Sequence, residues 1–201
     1  MKATAPIQVA HIADAASFKV GIVAPLEIVA IFGKGLGPEQ GIAADANNGA
    51  FPTSLAGTQV FFQSTPIPIL YASDTQVNVI IPSTAASQVG PTLYVKTQNG
   101  ASAPMANETW MATPYIFTMS VTGVGQASVL NQGYTINSSA HPADRGSVIA
   151  VYGTGGGRTR DDWPDGELVP LPDPLIAAPY TVAFVGGSSR RCCTQVPRRH
   201  S

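Results

Sequence analysis

Charge is scarce in this chain. Only 11% of its 201 residues are Asp, Glu, Lys or Arg, against about a quarter in ordinary globular domains. The histidines are three, His11, His141 and His200, and the cysteines two, Cys192 and Cys193. Residues 1–187 carry no cysteine, which is compatible with an oxidising exterior. The adjacent pair Cys192-Cys193, with only His200 near it, lacks the separated ligand pairs of a structural zinc, so no metal and no other cofactor is expected. Nothing in the chain approaches the ~18 uninterrupted apolar residues that a membrane helix needs. Residues 1–13 are broken by Pro6, Gln8 and His11 and form no signal-peptide core.

The little charge there is lies unevenly. Formal net charge is −1, but Arg190, Arg191, Arg198 and Arg199 gather at the end without an acid, leaving an acidic body. An acidic body argues against a nucleic-acid groove. Glycine and proline, 20 and 17 residues, supply turns throughout without a collagen-like period.

What the chain has instead is an internal echo. Ile28-Val29-Ala30-Ile31-Phe32-Gly33-Lys34-Gly35-Leu36-Gly37 returns as Val148-Ile149-Ala150-Val151-Tyr152-Gly153-Thr154-Gly155-Gly156-Gly157. Thr58-Gln59-Val60-Phe61-Phe62 is matched by Tyr180-Thr181-Val182-Ala183-Phe184. Two similar units at domain spacing predict a tandem array, and a chain of this length suits two sandwiches of roughly 100 residues. A repeated β module works by presenting surface or setting distance, whereas an enzyme needs one irregular site.

Short β-branched and aromatic runs bounded by turn residues predict strands at about 27–33, 57–63, 67–72, 75–81, 91–98 and 103–112, and in the second unit at about 124–130, 147–153 and 180–186. Gln76-Val77-Asn78-Val79 alternates as a strand with one wet face does. Pro66 and Pro68 predict an edge or bulged connection, because proline cannot donate to a ladder, and Asn99-Gly100 predicts a hairpin. The fold class expected is all-β, with immunoglobulin-like sandwiches over 14–113 and 114–201, the second truncated.

The end of the chain departs from the echo. An equivalent of Ile69-Leu70-Tyr71-Ala72 is due near 191–194, where Arg191-Cys192-Cys193-Thr194 stands. One supposed set of codons for Ser189 to Arg199, read in a frame shifted by one base, restores Leu-Tyr-Ala there, so residues from about 188 onward are read as an out-of-frame tail, the alternative being a genuine basic tail.

Catalytic patterns fail one by one. The glycine turns fit neither G-x-x-x-x-G-K-[ST] nor G-x-G-x-x-G, and no amphipathic helix follows them. No G-x-S-x-G elbow exists, and His141 with Asp144 has no placed nucleophile. A calcium loop begun at Asp161 breaks at Trp163 and Pro172. Asp161, Asp162, Trp163 and Asp165 remain as candidate ligand contacts, with Trp163 the aromatic expected at the surface and Tyr71 and Trp110 expected in the core.

Ala15-Ala16-Ser17-Phe18, Val23-Ala24-Pro25, Glu27-Ile28-Val29, Gly35-Leu36-Gly37-Pro38, Phe51-Pro52-Thr53-Ser54-Leu55-Ala56-Gly57, Leu70-Tyr71-Ala72-Ser73 and Leu130-Asn131-Gln132 together resemble a C-terminal domain of unknown function in large secreted proteins of Solibacter-type acidobacteria. Each unit also resembles an immunoglobulin-like domain of the IPT/TIG type. Asp14 and Leu26 depart from the pattern, which tends to Asn and Gly there. The resemblance implies a noncatalytic extracellular or cell-surface module, for spacing, adhesion or docking, within a larger exported protein. Its partners would be other domains of that parent, or a protein or glycan at the cell surface, with no nucleic acid and no membrane insertion. The alternative is a carbohydrate-binding module using exposed aromatics and the acidic loop.

Overall fold

The computed structural model describes residues 6–46, 48–87, 89–158 and 163–168, and the backbone of 182–185 and 188–191. Nineteen short strands make it up: β1 Gln8–Asp14, β2 Ile22–Val23, β3 Ile28–Lys34, β4 Ile42–Ala43, β5 Ser54–Leu55, β6 Thr58–Phe62, β7 Thr65–Pro66, β8 Ile69–Ala72, β9 Gln76–Ile80, β10 Thr92–Thr97, β11 Gly100–Ala101, β12 Met105–Ala106, β13 Glu108–Thr109, β14 Tyr115–Ile116, β15 Val129–Leu130, β16 Ala150–Val151, β17 Gly153–Thr154, β18 Val182–Val185 and β19 Ser188–Arg191. A 3-10 turn at Ser83–Ser87 is the one helical element among the described residues. No helix of the described residues is long and apolar enough to cross a membrane. The chain is an all-β protein of antiparallel sheets packed as a sandwich.

One sheet runs β1-β3-β9-β8-β4 and the other β11-β10-β6-β5, with β12 completing the β11 edge and β7 the β5 edge. Period-two alternation decides which side chains meet between them. Val29 and Ile31 on β3 and Val77 and Val79 on β9 face inward, opposite Val60 and Phe62 on β6 and Leu93 and Val95 on β10, all at 0–2% exposure. Burying each such side chain is worth about 1.5–3 kcal/mol. On the outer face of the second sheet, the cross-strand partners Phe61 and Tyr94 stack with ring centroids 5.0 Å apart.

The expected strands 27–33, 57–63, 67–72, 75–81 and 91–98 appear as β3, β6, β8, β9 and β10. The proline pair marks where the chain changes sheet. Ile67 N donates to Val60 O at 2.9 Å, in the second sheet, and Ile80 N donates to Pro68 O at 3.0 Å, in the first. The hairpin at Asn99-Gly100 forms, but Thr97 pairs with Gly100, so Gln98 and Asn99 make the turn and Gly100 begins the return at φ 128°. The single strand expected over 103–112 is instead β12 on β10 and then β13, which leaves to pair in parallel with β2. A strand unread in the sequence, β1, joins β3 with a register shift between Val9 and His11.

That irregularity links the two halves of the echo. In the first, Val9 pairs with Gly33 and Ile12 with Ile31. In the second, Ile116 pairs with Gly153 and Val129 with Val151, the positions the echo predicts. Where β1 slips at one residue, the second copy opens into a loop. Phe117 N donates to Tyr152 O at 3.0 Å and Tyr152 N to Ser128 O at 3.1 Å, so Tyr152 holds both ends of the excursion. The glycines repeat with the pairing: a Cβ on Gly33 would stand 2.0 Å from Gln8 O, and one on Gly153 2.7 Å from Tyr115 O. Gly35 and Gly155 both take left-handed φ, 71° and 73°. The surroundings differ, since Val29 and Ile31 are fully buried whereas Ile149 and Val151 are 41% and 48% exposed.

Gly33→Ala must push β1 off β3, because the clashing atom is backbone. We expect a loss of about 2 kcal/mol or more in urea unfolding, against a change within about 0.5 kcal/mol for Gly156→Ala, whose Cβ would meet nothing within 4 Å.

Candidate functional site

Of the acids singled out in the sequence, Asp165 alone lies among the described residues. Asp161 and Asp162 lie outside the described residues. Asp165 is engaged: its Oδ1 accepts from Ser83 N at 2.9 Å, at the start of the 3-10 turn. The residues beside it continue as a strap on the first sandwich, with Phe51 N donating to Gly166 O at 2.9 Å and Leu168 N to Gly49 O at 2.7 Å. Trp163 is half-buried, its Nε1 enclosed without a partner among the described residues. Trp110, expected inside, is 52% exposed and donates from Nε1 to Glu108 Oε1 at 2.8 Å. Among the described residues no three His, Cys, Asp or Glu come close enough to hold a metal ion.

The groups the chain does bring together are Asp14 and Glu27, which the sequence reading passed over. Both are acids interrupting apolar stretches, Asp14 ending β1 and Glu27 entering β3, and both are buried, at 2% and 0% exposure. Asp14 closes an Asx turn, its Oδ1 accepting from Ala16 N at 3.0 Å and Ser17 N at 2.6 Å. Glu27 Oε2 accepts from Ala24 N at 2.5 Å and from Thr113 Oγ1 at 2.8 Å. The remaining oxygens, Asp14 Oδ2 and Glu27 Oε1, are buried and have no donor among the described residues. Burial pushes the Glu27 carboxyl up from its ordinary 4.5 to about 8; the bonds from Thr113 and Ala24 oppose the rise, and the charge and hydrogen bond of Asp14 add to it. Glu27 thus keeps its proton at neutral pH and shares it with Asp14.

This pair sits beside the connection from β13 to β14, which carries Thr113. Thr113 Oγ1 reaches Glu27, Ile28 N donates to Thr154 Oγ1 at 2.6 Å, and Thr113 N donates to Gly155 O at 2.8 Å. Lys19 Nζ lies 4.9 Å from the centre of the Tyr115 ring, a cation–π contact across the same seam. Both side chains are buried, and the bonds they make run to backbone and to Thr113.

No sequence-family model matches the chain, and no curated protein does. Among solved structures it is similar to the crystal structure of a gamma-CGTase from alkalophilic Bacillus clarkii, at TM-score 0.36 and 13% identity. The match covers 77% of this chain and 22% of that one.

Because Glu27 is raised in the fold, the folded state holds a proton that the unfolded state gives up between pH 4.5 and about 8. Stability from this group is full below 4.5, declines as pH rises through that window, and is gone above it, at about 1.4 kcal/mol per unit of separation. Thermal melts of the Glu27→Gln variant, which cannot titrate, should lose this slope, whereas Asp14→Asn should lose only part of it, because burial is the larger cause of the rise. An unchanged slope in Glu27→Gln would show that this group does not carry it.

Proposed function

We propose that this chain is a noncatalytic extracellular or cell-surface module of a larger exported bacterial protein, made of two tandem immunoglobulin-like units of the IPT/TIG type. Its work is to hold its neighbours in the parent protein at a set distance and angle. The observation that carries this reading is the hydrogen-bonded seam at Glu27, Thr113, Ile28 and Thr154. A seam made through partly buried bonds, on both sides of a short connection, fixes orientation where a flexible linker would release it.

The matched pairing of β1 with β3 and of β14 and β15 with β17 and β16 supports the tandem reading. The exposed Ile149, Val151 and Tyr152 support a docking role for the second unit, since apolar side chains clustered along one ribbon mark contact surface.

Spin labels at Ala101→Cys and Ser139→Cys, with Cys192 and Cys193 changed to Ser, should give one narrow distance distribution by electron–electron resonance. Thr113→Val with Thr154→Val should broaden it while each unit stays folded. A broad distribution in the unaltered seam would overturn the spacer reading.

A further inference from the structure

The second unit carries a built concavity away from the seam, at the end where the chain turns from β15 to β16. Its walls are ordered by one side chain. Asn131 Nδ2 donates to Thr135 Oγ1 at 3.1 Å and to His141 O at 3.0 Å, while its Oδ1 accepts from Asn137 Nδ2 at 2.8 Å. The backbone adds Asn131 N to Thr135 O at 2.8 Å and Tyr134 N to Asn131 O at 2.9 Å. Gln132 Oε1 accepts from Val148 N at 3.3 Å, and Ser147 Oγ donates to Asp144 O at 2.7 Å. Three turns of chain are thereby fixed around a hollow of about 430 Å3, lined by Gln132, Thr135, His141, Asp144 and Ser147 among others, within the size range of small-ligand sites.

The polar heads left over point to what would fill it. The Gln132 amide nitrogen, the His141 ring and the Asp144 carboxylate are not consumed by these bonds: a donor, a group able to do either, and an acceptor. Between the lining residues Gly133 and Thr135 stands Tyr134, 78% exposed and held at φ 62°, a backbone conformation costly for an aromatic residue. The strained turn keeps a large ring in water, on a residue whose two chain neighbours line the hollow. We infer that this hollow is a binding site for a neutral, hydroxyl-rich ligand, one or two units of an oligosaccharide. Its ring face would stack on Tyr134 while its hydroxyls exchange hydrogen bonds with Gln132, His141 and Asp144. An anionic ligand is disfavoured by Asp144, and an apolar one by the polar heads it would leave unpaired. The site is independent of the seam, so the spacer reading stands or falls apart from it.

The test is isothermal titration of the full chain with cellohexaose, xylohexaose and maltohexaose. Saturable binding by at least one is expected, weakened about fivefold or more by Tyr134→Asn and by Asp144→Asn. Asparagine tolerates left-handed φ, so Tyr134→Asn should melt no lower than the parent, which separates loss of the ring from loss of the fold. Absence of binding by all three, binding unchanged in both variants, or binding lost only in Trp163→Ala would each overturn the assignment, the last by moving the site to the acidic loop.

Discussion

A buried carboxyl that keeps its proton holds this molecule's corner together. Leaving two carboxylates ionised at 0% and 2% exposure would set like charges side by side in a low-dielectric interior. One proton removes that repulsion and turns the pair into a hydrogen bond. The consequences spread outward from Glu27. Its Oε2 fixes Ala24, which shapes the corner that launches β3. Its backbone carbonyl accepts from Ile81 N at 2.9 Å, tying β3 to the end of β9. Its link to Thr113 ties the same corner to the connection from β13 to β14. A central strand, a sheet edge and that connection share one titratable group.

The same opening hairpin used twice shows how much of such a motif is local. Gly33 and Gly153 stand where backbone crowds the missing Cβ, and Gly35 and Gly155 bend the chain the same way afterwards. These features are set by neighbours in the hairpin and survive in both copies. Burial is not local. Val29 and Ile31 are sealed by β6 and β10 across the sandwich, and Ile149 and Val151 among the described residues have no comparable cover. The hairpin β18–β19 pairs Val185 with Ser188 much as β6–β7 pairs Phe62 with Thr65.

Legibility followed the same division. Strands with strict alternation, such as Gln76-Val77-Asn78-Val79, could be read because one face is wet and the other dry. The sheet-changing step at Pro66–Pro68 could be read because proline removes a donor. β1 could not, since its exposed first half and a slip at Ala10 imitate a loose leader. The aromatics misled where exposure depends on partners remote in sequence. Trp110 rides outside on Glu108, and Trp163 is drawn in by the strap that binds the loop at Gly49–Phe51. Asp14 and Glu27 were invisible as a pair, because nothing in their spacing announces that two strand ends meet. Of the tail read as out of frame from about 188 onward, residues 188–191 form β19 and those from 192 lie outside the described residues.

Asp14 and Leu26 are also the two places where the chain leaves the pattern it resembles, and the structure sets them within one corner. Leu26 is held at φ 60°, a conformation that glycine adopts without strain. Asp14 stands where an asparagine would bring its own donor to Glu27 and spare the shared proton. Each departure costs the corner something that the rest of the fold must outweigh. Leu26 N to Ile81 O and Ile81 N to Glu27 O, both at 2.9 Å, clamp the strained residue from the neighbouring strand. The Asx turn clamps Asp14 from its own side. The corner is therefore held by the packing around it, and the burial of Glu27 within that packing is what makes it respond to pH.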